Sequence, residues 1–236
     1  MSTETADAVP QRSRLRRFTG SAWFQFLLAF VVVGLILSFV AKPYWVPSGS
    51  MEQTLEPGDR VLVNRLAYVG AQPSTGDVVV FDGDETWGET GAADDGPVKA
   101  ALRWLGEVTG FGPSGPHTLI KRVIAGPGQT VSCCDAEGRM LVDGVPLDEP
   151  YIYEDFPFTE QQNCDTTPAS ARCFAEITVP EDSYLVLGDH RSASADSAVQ
   201  CRAPQASSDC WRWAKRSDIV GRAVVILWPI SRWSGL

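Results

Sequence analysis

The distribution of apolar residues divides the chain into two parts. Residues 22–41, AWFQFLLAFVVVGLILSFVA, are apolar on every side, with Gln25 the only strongly polar side chain. About 20 such residues is what a helix needs to cross a bilayer, whereas a core helix is apolar along one stripe. A cleaved leader fits less well. The run is too long, and a cut after Ala41 would put bulky Phe39 where a small residue is wanted. The pattern therefore predicts a transmembrane helix over 21–41, preceded by a polar tail at 1–20.

Beyond the span come short β-branched runs bounded by Gly, Pro and Asp: RVLVNR, DVVVFDG, TLIKRVIA, YLVLGD and IVGRAVVILW. Such runs predict strands. GRMLVDGVPL predicts a hairpin turning at Asp143-Gly144, with Pro146 confining the returning strand to a sheet edge. Two stretches interrupt the pattern. Residues 82–116 are acidic and glycine-rich and read as an exposed insertion, with a helical stripe at Val98, Ala101, Leu102, Leu105 and Val108. Residues 134–181, rich in Thr, Pro, Gln and Cys after the hairpin, read as an inserted smaller β subdomain. The fold class is mainly β: a single N-terminal transmembrane helix, then a β-rich domain built from 42–133 and 182–236.

Charge orients this arrangement. The net charge is −9, yet the four arginines of residues 1–20 outweigh Glu4 and Asp7, a local +2 that leaves −11 for the rest. An acidic body offers no electrostatic footprint for nucleic acid. Four arginines before the span against Lys42 just after it place the N-terminus in the cytoplasm. The chain is then a single-pass protein of the cell membrane, in contact with lipid, with its β domain outside. All six cysteines fall on that side, where thiols oxidise. Six cysteines allow 15 pairings; Cys164–Cys173 and Cys201–Cys210 each close a short loop and are preferred. With no C-x-x-C pair and only two histidines, a metal site is not expected, and nothing calls for a cofactor.

The segment WVPSGSMEQTLEPGDRVLVNR places two serines around a glycine shortly after the span. Ser50 can act as a nucleophile only if a base takes its proton. His117 reads as a surface residue, whereas His190, in GDHRSASADS, has carboxylates at hand to orient it. The other candidate is Lys121 in LIKRVIAGPGQTV. An ordinary lysine is protonated near neutral pH, but burial among apolar side chains can lower its pKa by several units. Strand alternation alone would instead point Lys121 into solvent or a salt bridge.

PSGSM followed by TLEPGDRVLV, then TGDVVVF, IKRVIAGPGQTV and LGDHRSASADS, resemble in order and spacing the four motif boxes of type I signal peptidases. These are membrane-anchored serine–lysine endopeptidases that remove signal peptides from exported precursors. The resemblance runs from the span to GRAVVILWPISRW. It implies a signal-peptidase-like catalytic domain with Ser50 as nucleophile, Lys121 as general base and Ser194 hydrogen-bonded to Lys121. It further implies an oxyanion hole of the Ser48 hydroxyl and the Ser50 N–H, with Gly49 allowing the tight turn between them. Asp189 would pair with Arg122, and Asp196 would support the same region. Substrate pockets for small side chains would be floored by Val46, Pro47, Met51, Leu55 and Ile120. The chain departs from the family pattern at His190, at Ala198, where an arginine partner for Asp196 is common, and at Ala125-Gly126-Pro127-Gly128-Gln129.

Overall fold

A computed structural model describes residues 21–88, 118–202, 206–207 and 209–236. The helical stripe around Leu102, most of the acidic insertion and His117 lie outside the described residues.

The apolar run folds as helix α1, Ala22–Phe39, followed at once by strand β1, Ala41–Trp45. The helix is shorter than the 21–41 expected, because Ala41 is already paired with Asn64 of β2, Arg60–Asn64. Its 18 residues span about 27 Å at 1.5 Å per residue, just short of a hydrocarbon core of about 30 Å. Among the described residues no helix is long and apolar enough to cross a membrane. Yet α1 carries no charge, and large apolar side chains along it, Trp23, Phe26 and Phe30 among them, stand exposed.

The remaining strands are β3 (Val78–Asp82), β4 (Thr118–Ala125), β5 (Thr130–Cys133), β6 (Met140–Val142), β7 (Val145–Pro146), β8 (Phe174–Thr178), β9 (Ser183–Leu187), β10 (Ala214–Lys215) and β11 (Ile219–Trp228). Seven form a large sheet in the order β1-β2-β11-β3-β4-β9-β10, and four a small sheet in the order β7-β6-β5-β8. The pairings among these strands are antiparallel. Because β4 and β9 are neighbours, the small sheet is an insertion between two adjacent strands of the large one. It begins at Thr130, four residues before the 134 expected, since β5 belongs with the hairpin and not with the large sheet.

The continuous run VVVF of β3 reflects burial on both faces. Val78 and Val80 enter one apolar cluster with Val61, Val63, Met51 and Leu55, while Val79 and Phe81 enter a second with Tyr184 and Ile219. Each fully buried valine contributes about 1.5–3 kcal/mol, so β3 is the spine against which β4 is fixed. The hairpin of the small sheet turns as expected: Asp143 (φ 52°) and Gly144 (φ 75°) take the left-handed pair that a two-residue turn requires. Pro146 lies on edge strand β7, where its missing N–H costs no ladder bond. The cysteines pair as Cys164–Cys173, Cys201–Cys210 and, between sequence neighbours, Cys133–Cys134.

Candidate active site

Ser50 sits in a single 3-10 turn, Gly49–Met51, which is held down by Met51 and Leu55. Both side chains are fully buried in the first apolar cluster, and the Leu55 N–H donates to the Met51 carbonyl at 2.7 Å. The turn thus has a core side and a hydroxyl side. Gly49 opens this tight turn, as expected, without a positive φ. A Cβ there would meet the Glu52 carboxylate at 2.4 Å.

Lys121 lies on β4 opposite Val79, its side chain drawn inside to 3% exposure. Its Nζ is 2.8 Å from Ser50 Oγ and 3.0 Å from the Ile120 carbonyl. Alternation into solvent therefore does not describe this strand. Burial pushes the Lys121 pKa down from 10.5 to about 8, against the opposing pull of the Asp196 and Asp189 carboxylates. Desolvation wins because neither carboxylate touches the amine. Both are committed elsewhere.

Asp189, fully buried, receives Arg122 through two parallel bonds, Nε to Oδ1 at 2.8 Å and Nη2 to Oδ2 at 2.6 Å. The Thr54 hydroxyl donates to the same carboxylate at 2.5 Å, and the Arg122 guanidinium lies 3.9 Å from the centre of the Tyr151 ring. Burial and Glu149 push the Tyr151 phenol well up, so it stays protonated and donates to Glu149 at 3.0 Å. Asp196 is not left alone by Ala198. Arg202 supplies the missing cation, with Nη1 3.1 Å from Oδ1, while the Ala198 N–H donates to the same oxygen at 3.1 Å.

The Ser194 hydroxyl is buried and has no hydrogen-bond partner among the described residues. The bond to Lys121 implied by the family resemblance is not made, and the Ile120 carbonyl takes that place. Gly188 is the hinge of this corner: a Cβ on it would lie 2.3 Å from Ser194 Oγ and 2.4 Å from the Ser50 carbonyl oxygen. Ser48 Oγ stands 3.5 Å from Ser50 Oγ, long for a hydrogen bond. His190 does not offer its ring to Ser50. Nδ1 is 2.7 Å from Glu52 and Nε2 3.4 Å from Glu154, while its backbone N–H donates to the Ser50 carbonyl at 3.1 Å.

Beside the serine, a hollow of about 50 Å³ runs between Tyr44–Ser48 and the first half of β4. Val46, Pro47 and Ile120 line it with Ser48 and Lys121. Met51 and Leu55 do not; they lie beneath, in the core. Thr54, Glu149, Tyr151, Gly188 and Arg202 join the site without a sequence signal that marks them as functional. Thr54 and Gly188 do stand inside the motif boxes TLEPGDRVLV and LGDHRSASADS, and position in a box is the one signal that could find them. Tyr151 and Glu149 belong to the inserted segment, and only the fold brings them to β4.

A family model described as signal peptidase, peptidase S26, matches residues 20–228. Signal peptidase I of Mycobacterium tuberculosis (strain H37Rv) is 37% identical over 231 residues, covering 94% of this chain and 76% of that protein. Probable signal peptidase I of Mycobacterium leprae is 36% identical over 234 residues, covering 92% and 80%. More distantly, thylakoidal processing peptidase 1 of Arabidopsis thaliana is 28% identical over 225 residues, covering 90% and 53%.

Proposed function

The chain belongs to the type I signal peptidases of the peptidase S26 family, hydrolases of the serine-protease class, and on that premise we propose a Ser50–Lys121 acyl-enzyme mechanism acting on membrane-tethered, signal-peptide-bearing precursors. The observation that carries this reading is the 2.8 Å contact between Lys121 Nζ and Ser50 Oγ in a buried setting. With a pKa of about 8, roughly a tenth of Lys121 is neutral at pH 7 and most of it at pH 9.

In its neutral form the amine accepts the Ser50 proton as Oγ attacks the scissile carbonyl. The negative charge that develops on the carbonyl oxygen is met by the Ser50 N–H and the Ser48 hydroxyl, which is free to rotate toward it. The Lys121 ammonium then gives its proton to the departing amine. Water, activated by the same lysine, releases the acyl group from Ser50. Asp189, Arg122, Thr54 and Asp196 hold the backbone of Gly188 and the β4 strand, and none of them moves a proton. The hollow is small and its lining largely apolar, in keeping with an A-x-A-like cleavage pattern. The substrate lies extended along Tyr44–Ser48 and β4 and adds as a strand.

Helix α1 carries the membrane role in this reading, with Ser21 and Val40 at its ends. Its C-terminus is tied to the sheet by the Arg65 N–H donating to the Val40 carbonyl at 2.9 Å. The five residues of β1 then lift the serine turn by about 17 Å. A precursor anchored by its own apolar segment meets Ser50 at raised effective concentration. The N-terminus faces the cytoplasm and the catalytic domain the outer side, by the arginines of the tail. A Ser-His mechanism is the weaker reading, because both ring nitrogens of His190 face carboxylates.

The test is cleavage of a purified precursor in detergent. Loss of cutting in Ser50→Ala and Lys121→Ala, with most of it retained in His190→Ala, is the expected result. An active Lys121→Ala enzyme would reject the dyad.

A further inference from the structure

The small sheet gathers four of the six cysteines at one end. Cys133–Cys134 closes β5, and Cys164–Cys173 closes the loop that leads into β8. The sulfurs of Cys134, Cys164 and Cys173 all lie within 4.8 Å of one another, and Cys164 Sγ is 3.7 Å from the Cys133 carbonyl oxygen. Cys133 is buried, whereas Cys134 and Cys164 line a common open pocket with Asp135, Glu137, Glu160 and Asp165. Two disulfides that merely staple a fold need no mutual approach. Here one sulfur of the first stands within a short side-chain movement of both sulfurs of the second, and solvent reaches the place where they meet.

We propose that this end of the small sheet is a thiol–disulfide exchange centre that takes two electrons from an uncharged or basic dithiol and relays them from Cys133–Cys134 to Cys164–Cys173. Arg139 pairs with Asp135 and Glu137, and Glu160 and Asp165 leave the lining net acidic, which disfavours reductants that carry negative charge besides the thiolate itself. In the first step a thiolate of the dithiol attacks Cys134 Sγ, the Cys133–Cys134 bond breaks, and Cys133 leaves as thiolate and is protonated. The second thiol of the reductant attacks the mixed disulfide, which releases oxidised reductant and the Cys134 thiolate. Cys134 then attacks Cys164 Sγ, the Cys164–Cys173 bond breaks, and Cys173 leaves and takes a proton. Finally Cys133 attacks Cys134 Sγ, re-forming the first disulfide and freeing Cys164. The net change is that one dithiol becomes a disulfide, Cys164–Cys173 becomes two thiols, and two protons pass with the two electrons. The proposal does not depend on the peptidase reaction.

The experiment uses the full chain in detergent, with dithiothreitol as the probe. Substoichiometric reductant, an acid quench, alkylation and non-reducing peptide mapping follow each cysteine. A Cys134–Cys164 linkage is expected as a transient species, with Cys201–Cys210 intact. A second arm needs no reductant. In Cys173→Ser the Cys164 thiol should attack Cys134, so that alkylation is found at Cys133 as well as Cys164. In Cys133→Ser the Cys134 thiol should likewise displace Cys173. Native pairs reduced singly, with no crossed linkage in wild type and alkylation confined to Cys164 in Cys173→Ser, would overturn the proposal. If both variants fail to fold, the wild-type map decides alone.

Discussion

Lys121 and Arg122 are consecutive on β4, yet the regions around their two side chains treat a buried cation in opposite ways. Arg122 is gripped by Asp189 through two bonds, and Tyr151 covers its face. Lys121 receives a serine hydroxyl and a backbone carbonyl, neither of which carries a formal charge. Burial lowers its pKa, and no contacting charge is there to offset it. One side of the strand commits its carboxylate to holding geometry, and that leaves the other side free to make a base. Had Asp189 or Asp196 reached Nζ directly, the amine would be a permanent cation and Ser50 would have no proton acceptor. The buried arginine and the activated lysine are two halves of one arrangement.

The largest way to break this contrast is at the lysine. Lys121→Ala should lower kcat/KM on the order of 10⁴-fold at pH 8, while Lys121→Met should fold and melt higher than wild type. The sign follows from linkage. The unfolded lysine holds its proton up to about 10.5, the folded one only to about 8. Burial of the charged form therefore costs on the order of 3 kcal/mol below pH 8, and the cost fades between 8 and 10.5. Wild type should gain stability with rising pH across that window, and Lys121→Met should not. Equal slopes in a pH series of melting temperatures would contradict it.

Next in size is the corner that joins the two halves. Gly188→Ala should cost about 10²-fold in kcat, because the added Cβ must displace Ser194 or the Ser50 carbonyl, and a shift near 1 Å is enough for that loss. Single-turnover cleavage measures it. Asp189→Asn should leave the half-buried Arg122 without its carboxylate, though still bonded to the Gly76 carbonyl and Thr54, lowering stability by about 1.5–3 kcal/mol. In what remains folded, the acid limb of the pH–rate profile should move to lower pH, since Asp189 is one of the groups holding the Lys121 pKa up. The smallest effect belongs to His190→Asn, a change of a few-fold in kcat, because the contact to Ser50 is through the backbone.

Much of this arrangement is legible in the chain's local patterns. The TLIKRVIA and IVGRAVVILW runs form β4 and β11 over those same residues, and the Asp143-Gly144 turn sits where its φ requirements place it. Ser50, Lys121, Asp189 and Arg122 can be named from sequence because each stands in a short box, and the structure brings these four together. What stays hidden is set by long-range packing. β1 lies concealed in the tail of an apolar run, because pairing with β2 leaves no local trace and Pro43 argues against a strand. Met51 and Leu55 read as part of the substrate hollow, yet the 3-10 turn at Met51 and the Leu55 N–H bond to the Met51 carbonyl set both side chains in the core cluster. Arg202, six residues beyond Asp196, replaces the cation expected at 198, and a motif read at fixed spacing does not see it. The Cys133–Cys134 pair is equally invisible, since a preference for loop-closing bridges passes over neighbours that close none.

The central claim is that burial alone, uncompensated by a contacting carboxylate, turns Lys121 into a base. The most direct measurement is an NMR titration of lysine side chains labelled at Cε in full-length Ser50→Ala protein, with Lys121→Met used to assign the Lys121 resonance. The account predicts a midpoint near 8 for that resonance, well below the remaining lysines. A midpoint near 10.5 for that resonance would contradict it.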